Sequence, residues 1–179
     1  MHQEAALVIT CFPDPYPDEL IYSVYARYQV RMGLRSGWAT ILKLLDNNSR
    51  AVIDLPCHLG HLTDALPLGH CYTIDYFIDN HTLLPFYRPF LPAERVKRIR
   101  SDMAGTSASA IHKTAGITPS SIRVLDKLKY CVLCADLDRR NYGESHWHCL
   151  HQVLGVEVCP LHRTLLEESN VQARNCSVV

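Results

Sequence analysis

Nothing in this 179-residue chain approaches the run of about 18 apolar residues that a membrane span needs, and no basic-then-apolar leader opens it. Neither insertion into a bilayer nor export is therefore expected. Excess charge is missing as well: 18 Lys and Arg stand against 18 Asp and Glu, for a formal net charge of zero. Without an overall basic field, any contact with nucleic acid must come from local patches. No internal repeat or low-complexity tract is visible, and the length leaves room for one domain or two small ones. Signatures of catalysis are scarce too. No Ser-His-Asp or paired-carboxylate spacing stands out. A zinc deaminase would need His-x-Glu ahead of Pro-Cys-x-x-Cys, whereas Tyr130 precedes Cys131 and the stretch His146-Trp147-His148 contains no Glu. The chain is not expected to be an enzyme.

Hydrophobic residues make up 47% and charged residues 20%, as in a soluble globular protein. Eight cysteines without a secretory signal point to a reducing cytoplasm, where clustered thiols serve metals better than disulfides. Four of the candidate ligands form a pattern. Cys131-Val132-Leu133-Cys134 is answered, after a loop long enough to fold back, by Cys159-Pro160-Leu161-His162. Two side chains three positions apart in a tight turn can face one ion, and a second such turn completes the tetrahedral shell of a structural zinc. Thiolate and neutral imidazole are both natural zinc ligands, and four of them leave no open position for catalysis. The spacing therefore predicts one structural Zn2+ on Cys131, Cys134, Cys159 and His162. His146, His148 or His151 could replace His162, but only His162 repeats the two-residue gap of the first pair. A redox role for the first pair lacks the surrounding βαβ pattern. Cys57, His58 and His61 also tempt a metal reading, but no second pair follows, and a short helix end after Pro56 accounts for them.

Along the chain, three prolines within Phe12-Pro13-Asp14-Pro15-Tyr16-Pro17 make a stiff, extended approach. Asp18 is placed to cap a helix over 18–32, with Glu19 in its first turn, an apolar stripe of Ile21, Val24 and Tyr28, and Gly33 as its stop. Further helices are expected over Trp38–Leu45, after Pro56, around Ile74–Ile78, from Pro92 to Met103, and at Ile111–Gly116. Another would start at Ser120 or Ser121 and end at Leu128. Asp46–Ser49 reads as a turn and Asp136–Gly143 as a polar loop. Trp147, Leu150, Val153 and Val156 would supply a small core, Leu161–Leu166 a short helix, and Glu167 onward a frayed tail. The helix 94–103 buries Val96, Ile99 and Met103 and shows Arg95, Lys97, Arg98 and Arg100 on its other face. This most basic patch of the chain is either a solvated face or a contact for phosphate or an acidic partner.

Together these segments resemble the TniQ/TnsD family of transposon target-site selectors. At the front the likeness is carried by Phe12-Pro13-x-Pro15, Asp18-Glu19-Leu20-x-Tyr22-Ser23 and Arg27-Tyr28. In the middle it lies in His81-Thr82-Leu83-Leu84-Pro85-x-Tyr87-x-Pro89-Phe90. At the back it lies in Tyr130-Cys131-x-x-Cys134, Tyr142-Gly143, Trp147-His148 and His151-Gln152-x-x-Gly155-Val156-x-Val158-Cys159-x-x-His162. This last run looks closer to the TnsD branch than to the short TniQ of CRISPR-associated systems. The resemblance implies a mainly α fold. A helix-turn-helix N-terminal domain, residues 1–122, is expected to precede a zinc-ribbon or zinc-finger module with a short tail, residues 123–179. It also implies a non-enzymatic, cytoplasmic, nucleoid-associated adaptor. Its partners would be target DNA, bound directly or through an RNA-guided Cas effector complex, and a TnsC-like AAA+ ATPase that recruits the transposase. TnsD-type selectors carry a long C-terminal region that reads the attachment site, so this chain is a short member or a truncated piece. Sequence-specific reading is not expected from it alone. Under the adaptor reading, Phe12, Tyr16, Tyr22 and Tyr25 are candidates for docking the ATPase; otherwise Phe12 and Tyr16 fold back on the chain's own core. A zinc-finger transcription regulator is the alternative, and it requires a concentrated basic face.

Overall fold

The computed structural model describes residues 9–45, 52–106, 108–116 and 126–173, with backbone alone at 38, 42 and 108–110. The expected turn at Asp46–Ser49 and the capping by Ser120 or Ser121 lie outside the described residues. Roughly half of the described chain is helical, and one two-stranded antiparallel sheet accompanies the helices.

The extended proline segment leads into α1 (Ile21–Arg31), whose Ile21, Val24, Tyr25 and Tyr28 are buried as the stripe predicts. The helix begins three residues later than expected. Leu20 occupies the capping position, because Asp18 stands in the left-handed region at φ 58° with its carboxylate turned towards His148. Glu19, predicted for the first turn, is buried beside Arg27 instead. Then come α2 (Gly37–Leu44) and α3 (Leu59–Ala65), the latter preceded by His58 at φ 63°. In α4 (Ile74–His81) the Tyr76 N–H donates to the Thr73 hydroxyl at 3.0 Å, an N-cap that satisfies one orphan donor. A short α5 (Leu84–Tyr87) and a 3-10 turn (Arg88–Phe90) lead to α6 (Ala93–Ala104) and α7 (Ala108–Ala115). Ile99 and Met103 of α6 are buried and Val96 half-buried. Helices α3 and α6 touch where Gly60 meets Ala104: a Cβ at Gly60 would stand 2.7 Å from the Ala104 carbonyl oxygen, so the approach requires glycine.

The back of the chain differs from the expectation in several places. Leu128 does not end a helix but is buried in strand β1 (Lys127–Tyr130). Asp136–Gly143 is no loop. It belongs to α8 (Val132–Tyr142), which an Asp136–Arg139 pair supports and Gly143 ends at φ 82°. Residues 161–166 form a turn rather than a helix, with Arg163 at φ 56° and an antiparallel bridge between Val158 and Leu165. The residues from Glu167 are not frayed. They form β2 (Glu167–Gln172), which pairs with β1 in the register Lys129 opposite Glu168 and Tyr130 opposite Glu167.

Trp147 and Val153, expected in a separate small core, pack against the main apolar cluster built from Tyr22, Tyr25, Leu59, Leu62 and Phe77. The strip 146–152, which includes a 3-10 turn at Leu150–Gln152, is laced to the front of the chain by backbone bonds. Leu20 N–H donates to the Trp147 carbonyl at 2.8 Å, and Cys149 N–H donates to the Asp18 carbonyl at 2.7 Å.

Candidate metal centre and its surroundings

Cys131 sits at the capping position of α8 and Cys134 in its first turn, so one α-helical start turns both thiols to the same side. The second knuckle is the tight turn after Val158. There Arg163 N–H donates to the Cys159 carbonyl and Cys159 N–H to the Thr164 carbonyl, both at 2.8 Å. The sheet β1–β2 fixes the two knuckles against each other, since it runs directly into Cys131 and out of the turn that holds His162.

The four predicted ligands converge, with their donor atoms within 4.8 Å of one another. His162 Nδ1 lies 3.3 Å from Cys134 Sγ, 3.6 Å from Cys131 Sγ and 3.7 Å from Cys159 Sγ, and the Cys134 and Cys159 sulfurs are 3.6 Å apart. Tetrahedral bonds of about 2.3 Å to sulfur and about 2.0 Å to nitrogen require ligand separations of about 3.5–3.8 Å, close to those found. The electrostatics agree. Burial alone would raise the Cys131 thiol. The Thr164 hydroxyl, 3.3 Å away, and the backbone N–H groups of Cys134 and Leu133 outweigh it and bring the thiol down to about 6. Burial, reinforced by Cys159 and Cys131, pushes Cys134 well above its ordinary value. Three thiols packed this closely cannot all ionise without positive charge beside them, which a divalent ion supplies. The buried Cys3His cluster could thus hold a metal ion, and its donors are consistent with zinc.

Of the rival histidines, His151 Nε2 lies 3.8 Å from Cys134 Sγ, outside the four-ligand group, while His146 and His148 gather around Asp138. Sequence reasoning missed two other members of this region. Thr164 faces Cys131, and buried Gln152 extends the sheet sideways. Gln152 accepts the Lys129 N–H at 2.9 Å and donates to the Lys129 carbonyl at 2.7 Å. Its place beside His151 in the sequence motif was the one available signal. Cys57, His58 and His61 form no donor cluster among the described residues, and His61 is exposed.

The basic face of α6 is smaller than its sequence suggests. Arg95, Lys97 and Arg98 are exposed, but Arg100 donates to Asp79 at 2.6 and 2.9 Å and to Asp75 at 2.6 Å. It clamps α6 to α4 and is not available to phosphate. The docking set needs a larger correction. Tyr22 and Tyr25 are fully buried and offer no surface to a partner. Half-buried Phe12 packs edge-to-face on Phe77 with centroids 6.3 Å apart. Tyr16 stacks on Tyr142 at 4.2 Å, lies 3.7 Å under the Arg27 guanidinium, and donates to Glu144 at 3.0 Å. Arg27 itself donates to Glu19 and Glu144, each at 2.8 Å, and thereby joins the opening segment, α1 and the loop after α8. The prolines hold a strip that covers the chain's own body.

The family model described as TniQ matches residues 10–166, from the extended segment through the last candidate ligand. The transposon Tn7 transposition protein TnsD of Escherichia coli is 32% identical over 156 residues, which are 87% of this chain and 31% of that protein. The chain thus spans about a third of the length of that relative. With the metal knuckles, the opening segment and the joining strip all inside the matched region, the chain belongs to the TniQ family.

Proposed function

We propose that the chain is a non-enzymatic adaptor that selects the target site in DNA transposition. It would link a target DNA, bound directly or through an RNA-guided Cas complex, to an AAA+ regulator that recruits the transposase. The observation that carries this reading is the likeness to TnsD, which runs through 87% of the chain instead of one motif. On this reading the metal module is structural and one zinc fills the Cys131, Cys134, Cys159 and His162 shell. The front of the chain supplies the partner and DNA surfaces. Helices α6 and α7 follow one another across the short 105–107 link, the connectivity of a helix-turn-helix unit. Exposed Arg95, Lys97 and Arg98 are the contacts for phosphate or an acidic partner.

The test is capture of a TnsC-like AAA+ regulator by this chain, with and without ATP and target DNA. Recruitment that needs ATP and DNA supports the adaptor; no capture under any condition removes it. A salt titration of DNA binding distinguishes the regulator reading, which requires a steep fall in affinity as salt rises and tight binding without the ATPase. Arg95→Glu with Arg98→Glu should weaken DNA association on every sequence alike and flatten that slope.

A further inference from the structure

A second group of potential metal-ligating side chains lies where α8 meets the strip 146–148. Asp138 projects from α8, and His146 and His148 project from the strip that laces the module to the front of the chain. Their side chains are 6%, 1% and 13% exposed. His148 Nε2 lies 3.0 Å from Asp138 Oδ2, and His146 Nδ1 lies 3.5 Å from the same oxygen. We infer that Asp138, His146 and His148 form a second metal site, for a divalent first-row transition ion of the zinc class, separate from the Cys3His centre.

Three observations converge on that assignment. The first is spacing: bonds of about 2.0–2.2 Å to imidazole nitrogen and carboxylate oxygen place neighbouring donors about 3.3–3.6 Å apart in a tetrahedral shell, and here His146 and His148 stand 3.5 and 3.0 Å from Asp138 Oδ2 with all three donors within 4.8 Å of one another. The second is an unmet demand. The buried Nδ1 of His146 closes no well-formed hydrogen bond, a costly state for an imidazole that an ion there would relieve. The third is the outer partner. A metal-bound histidine commonly donates its other N–H to a carboxylate or carbonyl, which fixes the tautomer. His148 has such a partner in Asp18, whose Oδ2 lies 3.3 Å from Nδ1, and the Pro17 carbonyl faces His146. Two imidazoles and one carboxylate suit zinc or a similar borderline ion, and three protein donors leave a position for water. Asp138 belongs to the metal module, while Asp18 and Pro17 belong to the opening segment. An ion here would fasten the two parts where the strip 146–148 passes between them.

Metal analysis and cobalt titration of the whole chain test the inference. Purified protein should carry two metal ions, and both His146→Gln and Asp138→Asn should carry one. In the metal-free wild type, the two centres differ in spectrum. Cobalt in the Cys3His centre gives an intense thiolate charge-transfer band, whereas cobalt on nitrogen and oxygen gives only weak visible bands. Titration should therefore reach two equivalents, with the charge-transfer band saturating after one. A wild type that saturates at one equivalent overturns the inference, whether or not the variants fold. So do two ions retained in both variants.

Discussion

In the helical part, Tyr25, Leu59, Leu62 and Phe77 are fully buried within one apolar cluster that reaches from α1 to α6. Around Cys131, Cys134 and Cys159, the partly buried apolar neighbour grouped with them among the described residues is Leu166. The large side chains nearby point outward: Leu161 is 73% and Leu165 75% exposed, and Val132, Leu133 and Val158 are exposed as well. Burying one aliphatic or aromatic side chain contributes about 1.5–3 kcal/mol, so the helical part can be held by many such terms. The module cannot. What fixes its two knuckles is four polar donors converging on a point, together with a short sheet. The difference teaches that one region is held by solvent exclusion, while around the knuckles four donors converge that could hold a metal ion.

The strongest way to break the comparison is to disable the Cys3His centre. Cys159→Ser, or a chelator, should cost the Cys3His centre its metal and unfold 127–145 and 153–172, since in small modules binding free energy is folding free energy. Hydrogen exchange should show that loss while α1, α3 and α4 stay protected. Protection that persists throughout would show that the module has an apolar core after all.

Smaller in reach is the buried ion pair that crosses from one region to the other. Arg27→Ala leaves Glu19 buried without its partner and frees Glu144 and Tyr16, at a cost of about 3–5 kcal/mol. Denaturant unfolding would measure it, and a loss under 1 kcal/mol would make the join between the regions dispensable. Within the helical part alone, Gly60→Ala presses a methyl onto the Ala104 carbonyl and should cost about 1–3 kcal/mol by forcing α3 from α6. Metal content should not change.

The smallest effect concerns pH. The Asp54 carboxylate, 2.9 Å from His112 Nε2, holds that imidazole above its ordinary 6.5 against the opposing effect of burial. A raised folded value means that the contribution to stability is complete below 6.5 and disappears as pH climbs through the folded value. His112→Gln should therefore destabilise more at pH 5.5 than at pH 8.5. Equal losses at the two values would reduce the pair to an uncharged hydrogen bond.

Several elements were readable because their causes are local. The stripe in α1, the proline before α6 and the paired two-residue gaps of the ligands each depend on neighbours a few positions away. The misread elements depend on distant partners. The helix over 132–142 carries too little apolar periodicity to declare itself, and Cys131 at its start and Gly143 at its end define it. β2 is a polar sequence, Glu-Glu-Ser-Asn-Val-Gln, that becomes a strand because β1 lies beside it. Arg100 reads as one of four equivalent cations until Asp75 and Asp79 arrive from another helix.

The sequence by itself determined which residues could bind the ion, because tetrahedral ligation asks only for the right donors at turn spacing. It also carried family membership, since the TniQ family model matches residues 10–166, most of the chain. Only the tertiary structure decided which tyrosines were surface and which were core: Tyr16 and Tyr22 look alike in sequence, yet one lies under Arg27 and the other within the apolar cluster. It alone brought Asp18, Asp138, His146 and His148 into one group from two ends of the chain. Such a meeting leaves no local trace, because it depends on how the strip after α8 packs on the segment before α1.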